Sequence, residues 1–430
     1  MCGDIPLSPR MRFAARFCRS SLFLLGDTNK LPATYIPLRS AARHGGDFLV
    51  FMFRLLGHVV PDYVHCNQFR MIEISPKPSE SAANPARAAF STEVVDAEPR
   101  FMELAGELDG LTMRCGHAAA FSRHCFLHAN WRIIGKIPRT SLHVVVIRRD
   151  GRAVAVAPMV LRRDRTGFSR LEWLNSIVPV YSELLLDPDQ PRGTLTKLIK
   201  RHFRSLPFVR RLTAERVLDG SSLAHLVSEL GAKSTTPVPT FSFKLSACDG
   251  WEAFFAAMSS NSRYYYRRHL RELEKFGPVA FEVIDDRSRV ERETRRLIDK
   301  KRIWVEERHG RTGWIFDPST PDYLTRTAKS CATARAAWIV TLRCGNRTLA
   351  ETLNYRLNGV DFPILISQDQ QWNDYSPGWL LTMQVFRQAF DDGIDRVDLM
   401  RGTTPQKKRM SNETIGIRDY SVYLGLGRLL

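Results

Sequence analysis

Apolar residues recur along the chain with two different periods, and each period predicts one kind of element. Recurrence every three or four positions predicts helices, and alternation with period two predicts strands. The helical period covers residues 101–111, 118–134, 195–202, 223–230, 251–258, 262–276, 292–307 and 379–391. The alternating period covers residues 142–147, 153–161, 168–174, 182–186, 241–245, 279–284, 336–343, 348–357, 362–367, 395–400 and 421–426. Interspersed helices and strands of these lengths predict an α+β fold with mixed sheets and flanking helices in three layers.

The order of the predicted elements repeats, which indicates a duplicated unit. Helices, a hairpin with a Gly-containing turn, a strand and a further helix occur in both halves, with the hairpin turns at Asp150-Gly151 and Gly345-Asn346. We therefore predict one α+β domain over residues 92–236 and a second over 237–430. Residues 1–91 are predicted to be a poorly patterned extension that ends in a linker rich in Pro, Ser and Ala over 74–91. The alternative for this extension is a membrane-surface or transit segment.

Composition narrows the class of protein and adds one unusual feature, the charge. The 430 residues include 63 Lys and Arg against 45 Asp and Glu, which gives a net charge of +18. Hydrophobic residues at 44% and charged residues at 25% exclude a wholly disordered chain, a collagen-like chain and a polytopic membrane protein. The positive charge favours an anionic partner such as nucleic acid, a phosphate-rich cofactor, an acidic lipid surface or a polyanionic substrate.

Cysteine and histidine spacing argues against a metal site and against several enzyme classes. The eight cysteines include no CxxC pair, so we interpret them as reduced thiols in a cytoplasmic protein without a metal ion. The sequence contains no P-loop, GxSxG, HExxH or strand-linked GxGxxG motif. No apolar run reaches the length of about 20 residues that a spanning helix needs, so stable membrane insertion is not expected.

The first candidate site is a turn that follows a predicted strand and opens a helix. It consists of Tyr375, Ser376, Pro377, Gly378, Trp379 and Leu380. Glycine allows close approach of the backbone to a ligand, and the N–H groups at a helix start attract phosphate. The functional interpretation is a pyrophosphate cradle, and the structural alternative is an ordinary Ser cap followed by Pro in the first turn.

Two basic segments are further candidates for binding a substrate or a phosphate group. The first comprises Asp398, Arg401, Gly402 and Lys407, at the end of a predicted strand and in the loop that follows it. The alternative interpretation of this segment is a solvated basic turn. In the second, Arg263 and Arg267 share a face of a helix that also carries three tyrosines. Basic residues among aromatic ones suit a nucleotide or nucleic acid, and a solvated helix face is the alternative.

The strand 348–357 carries the candidate catalytic residues. Alternation places Glu351 and Tyr355 on one largely apolar face. A buried carboxylate is a candidate general base, and a phenol is a candidate proton donor to a leaving group. The alternative is an edge Glu that faces water beside a packed Tyr.

Three of these segments together resemble the CelD-like acetyltransferases of the GNAT superfamily, which are associated with cellulose or exopolysaccharide synthesis. The resemblance lies in the basic helix at 259–277, in Ser-Pro-Gly-x-Leu-Leu at 376–381 and in Asp-x-x-Arg-Gly-x-x-Pro-x-Lys at 398–407. It extends over about 240–425 and is weaker over 92–236. The sequence departs from the family pattern at Thr403, Thr404, Gln406 and Met410, which belong to the acceptor side.

The resemblance implies tandem GNAT-like units, with the acyl-CoA site in the second. Acetyl-CoA or another acyl-CoA would be the donor, and the Ser-Pro-Gly segment would hold its pyrophosphate. The acceptor would be an amine or hydroxyl of a small molecule or saccharide. Glu351, which is assigned by its strand position and not by a family motif, is the candidate base that would deprotonate it. Two alternatives remain open at this point. One is a Fem-type aminoacyltransferase that uses aminoacyl-tRNA, and the other is a non-catalytic anion-binding module with the same fold.

Overall fold

A computed structural model describes residues 90–174 and 177–424 of the chain. The helices are α1 Glu98–Glu103, α2 Ala105–Arg114, α3 His124–Ile134, α4 Arg192–Ser205, α5 Ser222–Glu229, α6 Gly250–Ala257, α7 Ser260–Glu274, α8 Arg287–His309, α9 Thr320–Ala332, α10 Pro377–Asp391 and α11 Pro405–Arg409. The strands are β1 Phe90–Val95, β2 Thr140–Arg149, β3 Arg152–Arg163, β4 Ser169–Trp173, β5 Leu185–Leu186, β6 Val209–Leu218, β7 Lys233–Ser234, β8 Val238–Lys244, β9 Val279–Ile284, β10 Ala337–Cys344, β11 Arg347–Leu357, β12 Val360–Gln368, β13 Arg396–Arg401 and β14 Glu413–Tyr423. The predicted extension lies outside the described residues, apart from its last two positions in β1.

All strands of the described residues belong to one mixed sheet. The order is β1-β2-β3-β4-β6-β14-β8-β13-β12-β11-β10-β9, with β5 on β3 and β7 on β14. The last strand, β14, pairs with both β6 and β8, so the end of the chain joins strands from the two sequence halves. The α+β class is confirmed, and the strands of the two halves share hydrogen bonds.

The connectivity of the two halves is the same. In the first half, β3 pairs antiparallel with β4, and β4 pairs parallel with β6 across α4. In the second half, β11 pairs antiparallel with β12, and β12 pairs parallel with β13 across α10. This is the repeated order that the sequence pattern predicts, and the division at residue 236 stays a prediction.

Alternating side chains on β10 explain why helices cover both faces of the sheet in the second half. Trp338 and Val340 pack in a cluster with α6 and α10, whereas Ala337 and Ile339 pack with α8 and α9. Both sets are buried, so both faces need an apolar cover, and a layer of helices on each face supplies it.

Several elements differ from the sequence pattern. Strands β1 and β6 and helix α9 were not predicted, and the strand predicted at 421–426 is the end of the longer β14, with residues 425 and 426 outside the described part. Helix α9 has three threonines among its thirteen residues, and β-branched residues weaken a helical pattern. Along the residues with described structure, no helix is both long enough and apolar enough to span a membrane.

Candidate active site

Strands β12 and β13 separate shortly after they begin, and a cavity opens between them. They pair in parallel only at the first two positions of β12, opposite Arg396 and Val397. The cavity between the diverging strands, here called the gap cavity, has a volume of about 380 Å³ and is lined by residues 363–366 of β12 and Leu399 of β13. Diverging strands leave backbone N–H and C=O groups without a ladder partner, and an extended ligand can bond to them.

Helix α10 begins at the gap cavity with an unusual turn. Ser376 has left-handed backbone angles, φ 49° and ψ 52°, and Pro377 occupies the first helical position. The N–H of Gly378 donates to the side-chain oxygen Oε1 of Gln368 at 3.0 Å. A Cβ atom at Gly378 would lie 2.3 Å from this oxygen, so only glycine permits the observed contact. At this helix start the N–H of Gly378 therefore donates to a neutral side chain. The helix dipole favours an anion at the same position.

Half of the six residues predicted at this turn face a cavity. Gly378 and Trp379 line the gap cavity, and Ser376 and Trp379 line its neighbour. Pro377 and Leu380 are buried. The Tyr375 ring packs against other aromatic rings, at a centroid distance of 5.8 Å from Trp372.

The neighbouring cavity, here called the outer cavity, is larger and more polar. Its volume is about 880 Å³, and it lies between the first turns of α7 and α10 and the helix α11. The outer and the gap cavity adjoin and are here together called the cleft, because both are lined by Gln368, Trp379, Gln406 and Met410. A large polar cavity beside a smaller and less polar one suits a long ligand with a charged end and a thin arm.

The arginines predicted on α7 do not face this cleft. Ser262, Tyr265 and His269 line the outer cavity, at helical positions i, i+3 and i+7. Arg263 donates to the carbonyl of Ala256, and the Arg267 guanidinium lies 5.2 Å from the ring centroid of Phe255, so both are directed to α6. The sequence analysis selected the arginines of α7 as the binding face. The face that lines the cleft instead carries Ser262, Tyr265 and His269.

The loop after β13 contributes one ammonium group to the gap cavity. Lys407 is half-buried, and its Nζ donates to the carbonyl of Arg401 at 2.9 Å. Burial lowers the pKa of Lys407. Gly402 has a φ of 140°, and a Cβ atom there would lie 3.3 Å from the Lys407 Nζ. Arg401 is exposed and lines none of the three described cavities.

Asp398 is buried beneath this loop, and its contacts do not support the predicted role in substrate binding. Its carboxylate accepts hydrogen bonds from the Tyr181 hydroxyl at 2.9 and 3.0 Å and from the Met400 N–H at 2.7 Å. The Thr240 hydroxyl donates at 3.3 Å. Burial raises the pKa of Asp398 to about 6. These protein donors surround the carboxylate, so Asp398 fixes the turn at Met400 and ties it to Tyr181 of the first half.

Glu351 lies at a third cavity of about 520 Å³, here called the side cavity. The carboxylate is buried, and Oε1 accepts hydrogen bonds from Arg296 and, at 3.0 Å, from Lys300 of α8. The other oxygen, Oε2, is buried and has no hydrogen-bond partner among the described residues. Trp304 and Gln368 line both this cavity and the gap cavity, so the two cavities adjoin. A buried carboxylate oxygen without a donor is available to a ligand's N–H or O–H.

Tyr355 lies deeper than predicted, and its surroundings do not support a role as a proton donor. The side chain is 1% exposed and lines none of the three described cavities. Its hydroxyl is hydrogen-bonded to that of Thr327 at 2.7 Å, and its ring packs edge-on against Phe126. Burial raises its pKa well above the usual value. Strand alternation placed Tyr355 on the same face as Glu351, and α9 covers that part of the face.

Sequence reasoning missed three residues of the cleft. Gln368 lines all three cavities, Trp304 lines two, and Lys301 lines the gap cavity beside Lys407. Gln368 directly follows the strand predicted at 362–367, and the α8 residues belong to a predicted helix with many charged residues. No local pattern marks them, because their neighbours in the cleft come from distant parts of the chain.

Within 90–174 and 177–424, no three His, Cys, Asp or Glu side chains group as metal ligands would.

A segment of the chain that contains most of this cleft matches a known family model. Residues 260–408 match the family described as "Acetyltransferase (GNAT) domain". A crystal structure of FemX aligns with a TM-score of 0.53 at 10% identity, covering 76% of this chain and 98% of that chain. The comparison with curated proteins gave no match.

Two further solved structures align less closely. The C-terminal domain of a putative lysylphosphatidylglycerol synthetase from Agrobacterium fabrum has a TM-score of 0.46 at 11% identity, covering 76% of this chain and 93% of that chain. A tandem GNAT protein from the clavulanic acid biosynthesis pathway has a TM-score of 0.40 at 15% identity, covering 78% and 99%. At these identities the FemX alignment shows a shared fold, and the family match supplies the evidence for the domain.

Proposed function

We propose, from the premise that residues 260–408 form a GNAT acetyltransferase domain, that this protein transfers an acyl group from acyl-CoA to an acceptor. The acceptor group is an amine or a hydroxyl of a small molecule or saccharide. The observation that carries the proposal is the cleft, in which two diverging strands and the start of α10 meet. The matched segment contains β12, β13 and α10, and therefore most of the cleft.

The described residues fit an acyl-CoA donor. The pantetheine arm is long and thin and carries amides, so the unpaired backbone edges of β12 and β13 suit it. The pyrophosphate is anionic and suits the start of α10, where Gly378 leaves no side chain in the way. The Gln368 oxygen that accepts from the Gly378 N–H is neutral, and a phosphate oxygen can replace it with a stronger, charge-assisted bond.

Transfer is proposed to be direct, with Glu351 as the base. The acceptor nitrogen or oxygen attacks the thioester carbon, its new bond to that carbon forms, and the C–S bond breaks. Oε2 of Glu351, which has no donor among the residues that the structure describes, takes the acceptor's proton. That proton then passes to the departing thiolate, so that free CoA leaves as a thiol and the carboxylate is restored. The Lys407 ammonium lies at the gap cavity, where it supports the negative charge that develops on the thioester oxygen.

We further propose that the protein is a CelD-like acetyltransferase with a role in exopolysaccharide synthesis. The support is the three segments at 259–277, 376–381 and 398–407. Within them, Thr404 and Gln406 line the gap cavity where the family pattern has other residues, so the acceptor is expected to differ from that of relatives with the full pattern.

Calorimetric titration of the full chain with acetyl-CoA tests the donor assignment. We expect one binding site, and we expect Gly378→Trp to abolish binding because the indole fills the cleft. Gly193→Trp is the matched control, since Gly193 is also the second residue of a helix, and nothing lies within 4 Å of the position of a Cβ atom there. Acetyl-CoA binding that survives Gly378→Trp would show that the donor binds elsewhere.

A Fem-type transfer from aminoacyl-tRNA is the second candidate, and one observation favours it. Tyr264 and Tyr265 of α7 are 54% and 47% exposed, beside the exposed Arg267 and Arg268. Exposed aromatic rings among cations are typical of surfaces that bind single-stranded nucleic acid. If tRNA binds with an affinity that falls steeply with salt and acetyl-CoA does not bind, the second candidate replaces the first.

A further inference from the structure

The wall of the gap cavity formed by α8 carries a group of positive charges. Lys301 is half-buried and lines the gap cavity together with Lys407. Its Nζ lies 3.8 Å from the ring centroid of Trp304, and the Arg308 guanidinium lies 4.9 Å from the same centroid. Two cations, Lys301 of α8 and Lys407 of the loop after β13, therefore line the gap cavity, and Arg308 contacts the same Trp304 ring as Lys301.

No carboxylate balances Lys301 within the described residues. Its neighbour in sequence, Lys300, pairs with the buried Glu351 at the side cavity. No ion pair or hydrogen bond of the Lys301 ammonium occurs in the described part of the chain, and the charged groups that act on it are Arg308 and Lys407. Burial and these two cations lower the pKa of Lys301 to about 8. The Lys301 ammonium therefore lies at a cavity beside other cations, and an anionic ligand would balance its charge.

A second unsatisfied donor lies in the same wall. The indole N–H of Trp304 is buried and has no acceptor among the described residues. Buried donors are nearly always bonded in folded proteins, so an unpaired one beside a cavity indicates a bonding partner that binds there. Trp304 and Trp314 line the gap cavity as well, and they supply flat surfaces against which a ring can pack.

We propose that Lys301, with the indole N–H of Trp304, binds an anionic group, a carboxylate or a phosphate, on the acceptor substrate. The proposal rests on the proposed function, because it assumes that the donor occupies α10 and the β12 edge. Lys301 and Trp304 belong to α8, whereas the donor's phosphates are assigned to Gly378 at the start of α10. The acceptor would then be an acidic small molecule, with a ring or sugar face against the tryptophans and its reacting group toward the thioester.

Calorimetry with a matched pair of probes tests this assignment. The probes are para-aminobenzoate and para-aminobenzamide, which share shape and differ in charge, and each is titrated into the full chain with and without saturating free CoA. We expect the acid to bind at least about tenfold more tightly than the amide, because a charge-assisted bond of this kind contributes on that scale. Lys301→Met should abolish this preference. Lys329→Met is the control, since Lys329 pairs with Glu291 at 2.7 Å at a surface outside the cleft.

The outcomes separate this inference from the donor assignment. Equal binding of acid and amide, or binding of neither, overturns the acidic acceptor whether or not CoA binds. Loss of CoA affinity in Lys301→Met, together with displacement of para-aminobenzoate by CoA, also overturns it and assigns these cations to the donor's phosphates. Failure of CoA to bind, with the acid preference intact, contradicts the donor assignment alone. Inorganic phosphate that displaces para-aminobenzoate would extend the anion class from carboxylates to phosphates, and failure to displace it would restrict the site to carboxylates.

Discussion

Replacing Gly378 with alanine adds a single methyl group at the point where the donor's phosphates are proposed to bind. The new Cβ would lie 2.3 Å from Oε1 of Gln368 and 4.0 Å from Cγ2 of Ile366. The second distance is ordinary van der Waals contact, whereas the first forces the Gln368 side chain to move. Gln368 can do so because its amide is the end of a flexible chain.

The effect on stability is expected to be small, and the effect on binding large. Moving Gln368 breaks the 3.0 Å bond to the Gly378 N–H, a loss of about 1 kcal/mol, while alanine in a helix returns up to about 1 kcal/mol relative to glycine. A phosphate that is kept from this N–H loses a charge-assisted hydrogen bond of about 1.5–3 kcal/mol. This corresponds to a Kd for acetyl-CoA that is about ten- to hundredfold weaker.

Urea unfolding and calorimetric titration with acetyl-CoA measure the two effects on the same variant. Gly193→Ala is the control, because it makes the same change at the second position of α4, where the Cβ has open space. The double variant Gly378→Ala with Gln368→Ala removes the clash, so binding that stays weak in it shows that the methyl group itself blocks the phosphate. If stable Gly378→Ala binds acetyl-CoA as tightly as the unchanged protein, the phosphate does not bind at this helix start.

Three other predictions concern the groups around the cleft. Glu351→Gln should lower kcat for CoA release by about a hundredfold with little change in the KM for acetyl-CoA, and an unchanged kcat would mean that Glu351 is not the base. The pKa of Asp398 is raised to about 6 by burial, so its stabilising contribution is complete below the unfolded value near 4 and is lost as pH rises through 6. The unfolding free energy of the unchanged protein minus that of Asp398→Asn should therefore fall by about 2 kcal/mol between pH 4 and pH 7, and urea titrations that show no fall, or a rise, refute this. With the pKa of Lys301 at about 8, binding of para-aminobenzoate should weaken as pH rises above 8 in the unchanged protein and should show no such change in Lys301→Met; calorimetry across this range decides.

The order of elements around the cleft was predictable from the sequence because each element carries its own local signal. Pro377 and Gly378 mark the start of α10, and alternation marks β11 and β12. Strand β6 was missed because Arg210, Arg211 and Arg216 interrupt its apolar alternation. Arg211 bonds to Ser421 of β14, a contact that becomes possible only when the end of the chain joins the middle of the sheet.

The partners of the candidate residues were not predictable, because they come from distant segments. Glu351 is balanced by Arg296 and Lys300, which lie 55 and 51 positions away on α8. Tyr355 is enclosed by α9, a helix that the pattern did not show. The same sequence signal, a polar residue on an apolar strand face, thus corresponds to a carboxylate at a cavity in one case and to a packed phenol in the other.

Hydrogen exchange of the full chain, measured by mass spectrometry with and without acetyl-CoA, tests the central claim most directly. An acyl-CoA arm that bonds to β12 and a pyrophosphate at the start of α10 should slow exchange in peptides that cover 363–368 and 376–380. Peptides from β2 and β3 in the first half should exchange at the same rate in both samples. Protection at β12 and α10 is the result that the donor assignment predicts, and acetyl-CoA binding without protection there, or no binding at all, would contradict it.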